Sequence, residues 1–342
     1  MSADAVVLVG GRGVRLQPLT LTTPKPLLPV AGLPFLDHPL STLSAAGVQR
    51  AVLATSYRAD LFDDYTTAGR GGIEVRCTEE KEPLGTGGGL RQAIERAETE
   101  DVLVLNGDLL SGVDVAALLA AHKRYAADVT LLLVRVPDVR PYGAVTYHDD
   151  GRVSAFLEKP SEPSAGPVNG GCFVVRRQVL ESVPAGRPLS LENEVFPSLI
   201  AAGARFYGHV ADPYWLDVGT LRGFLKANAD LVRGVAPSAA VTAAPGEYVV
   251  LPGADVAPGV TPTAGTVIGR RNVVAPDVVL HGAVLFDDVT VDNGAVVCRS
   301  VLGHGVAVGR DCQVIDTMLG NGARLSPGVR LVSAKVPPGA VI

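Results

Sequence analysis

The sequence has few cysteines and no long run of apolar residues. Its four cysteines are widely spaced and form no C-x-x-C pair: Cys77, Cys172, Cys298 and Cys312. This spacing excludes the usual structural zinc motifs and a dense disulfide framework, and it favours a reducing compartment. Apolar stretches stay below the roughly 18 residues that a membrane-spanning helix needs. We therefore expect no membrane segment.

Positive charge is also in short supply, since 30 lysines and arginines face 35 acidic residues, for a net charge of −5. General nucleic-acid binding needs a basic surface and is therefore not expected. A hydrophobic content of 47% in 342 residues predicts one large globular domain with a smaller one beside it. The first apolar strand begins at about Ala5, which leaves no room for a signal peptide, so we expect a cytoplasmic protein.

A glycine-rich loop with three cations follows the apolar stretch 5–9. Residues 10–16 read G-G-R-G-V-R-L, and P-K-P follows at 24–26. Glycines allow close backbone approach, and the cations supply the positive charge that phosphates require. The loop lacks the Gly-Lys pair of a Walker motif, and Leu16 replaces the third glycine of a dinucleotide fingerprint. The pattern indicates another kind of polyphosphate site, with an ordinary strand-to-helix turn as the alternative.

Strands and helices alternate along the first part of the chain. The pattern predicts strands at 5–9, 49–55, 73–78 and 101–105, and helices at 34–46, 58–68 and after residue 84. This alternation predicts an α/β fold with a doubly wound, mainly parallel, Rossmann-like sheet. Ligands of such sheets bind beyond the carboxyl ends of the strands. The loops at Gly10, Glu79 and Asn106 should therefore meet at one edge.

From residue 128 the pattern changes towards strands. We predict strands at 129–136, 143–147, 153–157, 170–175 and 204–210, and helices at 191–202 and up to about 232. Thr220 is the expected N-cap of the last helix. This part is interpreted as a substrate-covering extension of the same domain.

A repeat follows a linker rich in alanine and proline. Apolar residues recur at every sixth position, slip in register, and resume: Ile268, Val274, Leu280, Phe286, Leu302, Val308, Val314, Leu319, Leu325 and Leu331. Hexapeptide periodicity predicts a left-handed parallel β-helix with three hexads in each triangular coil. The predicted domains are 1–233, a linker at 234–249, and the β-helix at 250–342.

Several polar residues stand near predicted strand ends. Asp108 and Asp217 together would suit Mg²⁺, which takes one or two carboxylates and completes its shell with water and phosphate oxygens. Lys159 offers a compact charge for a phosphate, while Glu158 and Asn169 could bind hydroxyls. Each is, taken alone, more often a turn former, a helix cap or a solvated surface residue.

Residues 10–26 resemble the signature loop of the sugar nucleotidylyltransferase family, G-G-x-G-T-R-L-x-P-L-T followed by P-K-P. Further segments resemble the family: E-K-E-P-L-G-T at 80–86, N-G-D at 106–108, F-L-E-K-P at 156–160, N-G-G at 169–171 and W-L-D-V-G-T at 215–220. The resemblance covers the whole chain, including the repeat. It is greatest to the GDP-mannose pyrophosphorylase (mannose-1-phosphate guanylyltransferase) group, on segments 80–86 and 190–197.

The resemblance implies a reaction of an NTP, most closely GTP, with a sugar 1-phosphate such as mannose 1-phosphate. The sugar phosphate attacks the α-phosphorus in line and, with Mg²⁺, gives NDP-sugar and pyrophosphate. It further implies that Arg15 stabilises the α- and β-phosphates, that Lys25 holds phosphate near the reacting centre, and that Lys159 grips the sugar phosphate. Asp108 and Asp217 would bind the metal. The β-helix would assemble a homo-oligomer.

Binding residues follow from the same resemblance. The implied nucleotide contacts are Leu8, Gly10, Gly11, Arg12, Gly13, Glu80, Pro83, Gly85, Thr86, Asn106 and Gly107. The implied sugar contacts are Gly143, Glu158, Asn169 and Gly170. Two positions depart from the family pattern. Val14 replaces a threonine, which removes a hydrogen bond of about 0.5–1.5 kcal/mol, and Gly170 replaces an alanine, which could indicate another sugar or a cyclitol phosphate.

Three alternatives remain. The same chemistry could use dTTP, UTP or ATP with a glucose-type phosphate. The chain could be a non-catalytic regulatory subunit, although it retains the catalytic residues named above. An additional acyltransferase activity would have only His281 and His304 as candidate bases in the repeat.

Overall fold

The computed structural model describes residues 3–68 and 72–342, which fall into two compact units. The first unit comprises the chain up to Gly11 and Pro39–Trp215, and the second comprises Arg12–His38 and Leu216–Ile342. The signature loop from Arg12 onwards thus groups with the C-terminal part of the chain. The predicted domain limits, 1–233 and 250–342, stay a prediction.

The first unit is built on a nine-stranded sheet. Its strands are β1 (Asp4–Leu8), β2 (Arg50–Thr55), β3 (Glu74–Glu79), β4 (Asp101–Asn106), β5 (Val129–Val136), β6 (Gly143–Tyr147), β7 (Val153–Glu158), β8 (Gly166–Arg176) and β9 (Phe206–Val210). The order runs β7-β6-β8-β4-β1-β2-β3, while β5 pairs with β8 and β9. Strands β4, β1, β2 and β3 are parallel. Strand β8 is antiparallel to β4 and begins a mixed half of the sheet. The predicted Rossmann-like, mainly parallel architecture is confirmed.

The described residues also form α-helices, which connect the strands of the first unit and begin the C-terminal part of the second. They are α1 (Asp37–Ala45), α2 (Asp63–Ala68), α3 (Gly85–Ala93), α4 (Val115–Arg124), α5 (Arg177–Glu181), α6 (Phe196–Ala201) and α7 (Leu221–Val232). Shorter elements are the 3₁₀ turns Val14–Leu16, Leu19–Leu21, Lys25–Leu27, Ala59–Phe62 and Ile94–Arg96, the π-helical turn Leu191–Val195, and the short strands Pro29–Val30, Leu33–Pro34, Leu109–Ser111 and Trp215–Asp217. No helix among the described residues is both long and apolar enough to cross a membrane.

The core of the first unit lies between the sheet and its helices. Central strands are apolar on both faces because helices cover both faces of a doubly wound sheet. The predicted apolar stripe of α3 and the turn after it is buried in this core, at Leu90, Ala93, Ile94 and Ala97.

Two predicted helices differ from the structure for identifiable reasons. The helix predicted at 34–46 begins at Asp37, because Leu33–Pro34 pairs with Pro29–Val30 as a short hairpin. The helix predicted at 191–202 is divided into the π-helical turn and α6. Pro197 has no N–H to donate to the carbonyl of residue 193, so the regular ladder cannot continue through it.

The second unit contains α7 and the predicted parallel β-helix. Its strands form three parallel sheets: Tyr248–Val250, Asp255–Val256, Thr266–Ile268, Val273–Val274, Val279–His281, Val284–Leu285, Thr290–Val291, Val296–Cys298, Val301–Leu302, Ala307–Val308, Gln313–Ile315, Met318–Leu319, Arg324–Leu325, Arg330–Val332 and Lys335–Val336. The first coil has the expected three hexads, since Tyr248 pairs with Thr266. Later coils are 17 residues long, as the hydrogen bond from Val289 N–H to Asn272 Oδ1 shows.

A coil of two hexads and a pentad explains the slip in the sequence repeat. In the strand after Leu280, the residue that packs into the core of the β-helix is Leu285, whereas Phe286 is the residue at the sixth position of the sequence repeat. Phe286 is buried on the outside of the coil, where its ring lies 6.3 Å from that of Phe224 on α7. Phe286 therefore continues the spacing of the repeat without joining the core of the β-helix, and it packs the β-helix against α7.

Candidate active site

In the first unit, strands β1 and β4 end side by side. Leu8 is in register with Asn106, and the N–H of Gly107 donates to the carbonyl of Leu8 over 2.9 Å. A Cβ at Gly107 would lie 2.6 Å from the side chain of Val9. Only glycine therefore lets the two loops run this closely. Gly10–Gly11 and Asp108 thus leave the same edge of the sheet, as predicted.

The turn after β3 is organised by Glu80. Its Oε2 accepts the N–H of Leu84 at 2.8 Å, and the space for Oε1 exists because residue 89 is a glycine. Burial raises the pKa of Glu80, while hydrogen bonds from the Leu84 N–H and the Ser56 hydroxyl oppose that rise. The carboxylate is thus directed into its own turn. Its predicted contact with a nucleotide base stays a prediction.

The second glycine loop is packed against a distant segment of the same unit. The N–H groups of Gly87 and Gly88 both donate to the carbonyl of Leu189, at 2.8 and 3.4 Å. A Cβ at Gly85 would lie 2.6 Å from that same oxygen, and one at Gly88 would lie 2.6 Å from the carbonyl of Arg187. These glycines are therefore required by backbone packing. The carbonyl of Leu189 occupies the N-terminus of α3, where a phosphate would otherwise bind.

Thr86 links this loop to the π-helical turn. Its hydroxyl donates to Glu192 Oε2 at 2.7 Å and accepts the N–H of Leu191 at 2.9 Å. The predicted residues Gly85 and Thr86 are thus held by segment 187–192, which overlaps the segment 190–197 that carries the resemblance to the family. The signal that could have found the link was the pair of matching segments, 80–86 and 190–197.

Gly143, Glu158 and Lys159 lie together at the junction of β6 and β7. Gly143 pairs with Glu158 across the strands, and a Cβ at Gly143 would lie 3.0 Å from Glu158 Oε2. The ammonium group of Lys159 donates to Glu158 Oε1 at 2.7 Å. The Lys159 side chain is 66% exposed and the Glu158 side chain 18% exposed. The lysine side chain is therefore exposed to solvent, and its ammonium group is paired with Glu158.

Asn169 and its two glycines form a tight turn inside β8. Asn169 Oδ1 accepts the N–H of Gly171 at 3.0 Å, and a Cβ at Gly171 would lie 3.1 Å from the Asn106 amide. The turn therefore adjoins the end of β4. A Cβ at Gly170 would lie 2.9 Å from Cγ of Leu132. Packing against Leu132 thus gives a reason for the glycine that replaces the family's alanine.

Two aromatic residues at this turn were not among the predicted site residues. Trp215 donates its indole N–H to the carbonyl of Gly170 at 3.0 Å, and its ring lies 5.1 Å from that of Tyr142 in an edge-on arrangement. The carbonyl of Tyr142 accepts the N–H of Lys159 at 2.9 Å. These residues connect the turn at Gly170 with Lys159, and the single tryptophan of the chain was the signal that could have found them.

In the second unit, Arg15 and Asp217 form an ion pair of 3.4 Å between Nη2 and Oδ2. The other carboxylate oxygen of Asp217 accepts the N–H of Gly219 at 2.7 Å. A Cβ at Gly219 would collide with the guanidinium of Arg15. Thr220 follows and caps α7, since its hydroxyl accepts the N–H of Gly223 at 3.1 Å. The predicted N-cap is confirmed, and it fixes Asp217 just before the helix.

The rest of the signature loop is folded around Gly13. Its φ is +59°, and its carbonyl accepts the hydroxyl of Thr20 at 2.9 Å. A Cβ at Gly13 would lie 3.1 Å from Cβ of Lys25, which is only 7% exposed. Arg12 is exposed, and Val14 is 59% exposed. The departure from the family at Val14 therefore leaves the packing of the loop unchanged.

Comparisons with known proteins agree over nearly the whole chain. A nucleotidyl transferase family profile matches residues 4–234, and a GMPPB C-terminal domain profile matches residues 244–342. The mannose-1-phosphate guanylyltransferase of Mycobacterium tuberculosis is 47% identical over 298 residues, which cover 86% of this chain and 83% of that protein. Mannose-1-phosphate guanylyltransferase 1 of Arabidopsis thaliana is 30% identical over 362 residues, covering 99% of both chains.

A solved structure shows the same likeness over about two thirds of the chain. HddC from Yersinia pseudotuberculosis, crystallised in complex with GMP-PN, has 30% sequence identity and a TM-score of 0.58. The match covers 66% of this chain and 97% of that one.

Proposed function

This chain belongs to the nucleotidyl transferase family, and we propose that it transfers the guanylyl group of GTP to mannose 1-phosphate, forming GDP-mannose and pyrophosphate. The observation that carries the choice of substrates is the likeness to mannose-1-phosphate guanylyltransferases, because it extends through both profile-matched regions. The observations restrict the sugar less than they restrict the reaction. A close analogue of mannose 1-phosphate should therefore be tested as a second substrate.

The chemistry is an in-line displacement at phosphorus. A phosphate oxygen of the sugar 1-phosphate forms a bond to the α-phosphorus, and the bond from that phosphorus to the bridging oxygen of pyrophosphate breaks. The attacking oxygen is already ionised, so no general base is needed. Catalysis then rests on positioning the reactants and neutralising charge.

Arg15, Lys25 and Lys159 are proposed to supply the positive charge. Arg15 would stabilise the α- and β-phosphates and the departing pyrophosphate, a role that suits a planar guanidinium. Lys25 would hold phosphate near the reacting centre, and Lys159 would bind the phosphate of the sugar. The pairing of Arg15 with Asp217, and of Lys159 with Glu158, supports these roles because both cations already face carboxylate oxygens.

Mg²⁺ is the proposed cofactor, with Asp108 and Asp217 as its ligands. The described residues contain no group of three or more His, Cys, Asp or Glu side chains arranged to hold a metal. One or two carboxylates nevertheless suffice for Mg²⁺ when phosphate oxygens and water complete its shell. Asp217 fits this requirement, since its Oδ2 already faces a cation, the Arg15 guanidinium. When bound, the metal would neutralise charge on the nucleotide phosphates.

The remaining site residues keep their predicted roles as proposals. The nucleotide would contact Leu8, Gly10, Gly11, Arg12, Gly13, Glu80, Pro83, Gly85, Thr86, Asn106 and Gly107. The sugar would contact Gly143, Glu158, Asn169 and Gly170. For the glycines at 85 and 170, a packing reason is on hand as well, so ligand contact is not needed to explain them.

Assembly and location are further proposals. The side chains of Val273, Val279 and Val332 are exposed on the outside of the β-helix. Such exposed apolar residues support a homo-oligomer formed through the surface of the β-helix. A cytoplasmic location is supported by the four cysteines, which all have free thiols. An acyltransferase activity gains no support, because His304 Nδ1 accepts a backbone N–H and His281 pairs with the hydroxyl of Thr263.

The test is a pyrophosphate-release screen with purified enzyme and Mg²⁺. GTP, ATP, UTP and dTTP are each crossed with mannose 1-phosphate, glucose 1-phosphate and a cyclitol phosphate. We expect the highest kcat/KM with GTP and mannose 1-phosphate. A preference for dTTP, UTP or ATP with glucose 1-phosphate would support the second candidate. No release with any pair would favour the regulatory-subunit alternative.

A further inference from the structure

The signature loop from Arg12 onwards and the β-helix belong to one compact unit, and they are joined by specific contacts. We call Arg12–His38 the loop segment, and its C-terminal end is held by two contacts. The N–H of Ala31 donates to Oδ1 of Asn228 on α7 at 2.8 Å, and this bond is buried. A Cβ at Gly32 would lie 2.5 Å from the side chain of Leu251, in the first coil of the β-helix.

The other end of the loop segment is held by the last coils. Asn321 Nδ2 donates to the hydroxyl of Thr22 at 3.1 Å. Lys335 Nζ donates to the backbone carbonyl of Arg15 at 3.3 Å. From Gly32 to Thr22 to Arg15, the loop segment therefore contacts successively later coils. The loop segment therefore packs along the length of the β-helix.

Asn321 is the end of a ladder of side chains at equivalent places in successive coils. The N–H of Asp287 donates to His304 Nδ1 at 3.2 Å, and the N–H of His304 donates to Asn321 Oδ1 at 3.0 Å. Each step spans 17 residues, the length of one coil. A Cβ at Gly303 would lie 2.5 Å from Asn321 Oδ1, so the glycine makes room for the amide. With Oδ1 engaged by the coil, the amide nitrogen is the group directed at Thr22.

Lys335 acts on the residue that matters most to the chemistry. It donates to the main-chain carbonyl of Arg15, the residue whose guanidinium pairs with Asp217. Catalysis by fixed charges depends on those charges being in place before the reaction begins. A displacement of about 1 Å in such a group can cost on the order of a hundredfold in rate. The two contacts from the β-helix are therefore placed to affect turnover without touching substrate.

We propose that Asn321 and Lys335 are positioning residues for nucleotidyl transfer, and that the β-helix sets the position of the signature loop through them. This inference rests on the proposed function of Arg15. It gives the β-helix a part in catalysis that is separate from assembly. Neither residue is proposed to contact nucleotide, sugar or metal.

The first test compares Asn321→Ala and Lys335→Met with Arg299→Ala. The control removes a two-bond ion pair to Asp316 that also joins neighbouring coils, but no hydrogen bond of that pair reaches the loop segment. We expect kcat to fall about tenfold in the two test variants, with a smaller change in KM for GTP, because preorganised charge acts on the transition state. Lys335→Arg keeps the donor and should recover most of the rate. Equal kcat in all three variants would overturn the proposal.

A double-mutant cycle isolates the contact with the loop. Thr22→Val keeps the shape of the side chain and removes the hydroxyl, including its own hydrogen bond to the carbonyl of Leu19. Because it leaves the residues of the β-helix unaltered, it also tests the contact if Asn321→Ala folds poorly. If the hydrogen bond transmits the effect, Thr22→Val combined with Asn321→Ala should be no slower than the slower single variant. Multiplicative losses would show that the two residues act independently, contrary to the proposal.

Hydrogen exchange supplies a readout that needs no activity. Amide exchange in residues 12–24 should be faster in Asn321→Ala and Lys335→Met than in the parent chain, and unchanged in Arg299→Ala. If the parent releases no pyrophosphate with any substrate pair, the proposed function fails, yet exchange still reports whether the β-helix holds the loop. Unaltered exchange in both test variants would reject the positioning role even in an active enzyme.

Discussion

The guanidinium of Arg15 lies 3.4 Å from Oδ2 of Asp217, across 202 residues of sequence. The two side chains are 59% and 27% exposed, so solvent screens their attraction and the pair adds little to stability. Their order comes instead from the neighbours: Gly219 binds the other oxygen of Asp217, and Lys335 binds the carbonyl of Arg15. The pair is therefore better explained by a requirement for fixed charge than by folding.

Arg15→Ala should lower kcat by about a hundredfold to a thousandfold, the effect found when a donor to transition-state charge is removed. KM should change much less, because the interaction strengthens as charge develops on the departing pyrophosphate. Steady-state kinetics with GTP and mannose 1-phosphate provide the measurement. Arg222→Ala, which removes an exposed arginine from α7 in the same unit, is the control. A rise in KM alone would contradict the assigned role.

Gly219→Ala should reduce activity while leaving the fold nearly as stable as before. The new Cβ would collide with the guanidinium of Arg15 and lie 2.8 Å from Asp217 Oδ1. Arg15 can move aside because its side chain is long and exposed. The substitution therefore displaces the guanidinium and has little effect on the stability of the fold. We expect kcat about tenfold lower and a nearly unchanged melting temperature. Gly246→Ala, where the nearest atom to a new Cβ is 3.6 Å away, should leave both unchanged.

Local patterns predicted the fold well. The parallel strands were recognisable from their apolar runs, and the buried stripe of α3 from its helical spacing. The length of a β-helix coil was harder to predict, because Leu285 and Phe286 are both apolar and either could continue the hexads. The tertiary packing distinguishes the two residues, because Leu285 lies in the core of the β-helix and Phe286 contacts Phe224 on α7.

For the site, the sequence predicted which loops lie together at the ends of the strands, but not the contacts between distant segments. The convergence of the loops at Gly10 and Asn106 followed from parallel strands that end together. The link between Thr86 and Glu192 joins the first turns of two helical segments 106 residues apart, and local periodicity does not show which helical segments contact each other. The role of Lys335 could not be predicted either, because the sequence around an exposed lysine in a repeat does not indicate which carbonyl the lysine binds.

Gly85→Ala should destabilise the first unit more than Gly186→Ala. Both glycines have left-handed backbone, with φ of +68° and +71°, so each substitution costs roughly 1 kcal/mol in strain. The Gly85 variant also places Cβ 2.6 Å from the carbonyl of Leu189, whereas nothing lies within 4 Å at Gly186. Overpacking against backbone adds about 1–3 kcal/mol. Urea unfolding measures the difference, and equal midpoints would show that the loop adapts freely.

Stability should fall as the pH drops below about 6.5, the pKa of histidine in an unfolded chain. Burial lowers the pKa of His122 in the fold, although the nearby Asp101 opposes this shift. Below pH 6.5 the unfolded chain binds more protons than the folded one, so protonation favours unfolding until the lower folded pKa is passed. Urea midpoints at pH 7.5 and 5.5 test this. His122→Gln should reduce the difference between the urea midpoints at the two pH values, whereas His148→Gln, at an exposed site, should leave that difference unchanged.

Asp108→Asn and Asp217→Asn should each raise the Mg²⁺ concentration needed for half-maximal activity, because an amide oxygen binds a hard cation less strongly than a carboxylate does. Turnover at saturating Mg²⁺ should also fall, while thermal unfolding in the absence of nucleotide stays close to that of the parent. Asp149→Asn, in an exposed turn, is the matched control. Mn²⁺ binding followed by electron paramagnetic resonance, with a non-hydrolysable GTP analogue present, gives a readout independent of turnover. If either test variant binds Mn²⁺ and responds to Mg²⁺ as the control does, that aspartate is not a metal ligand.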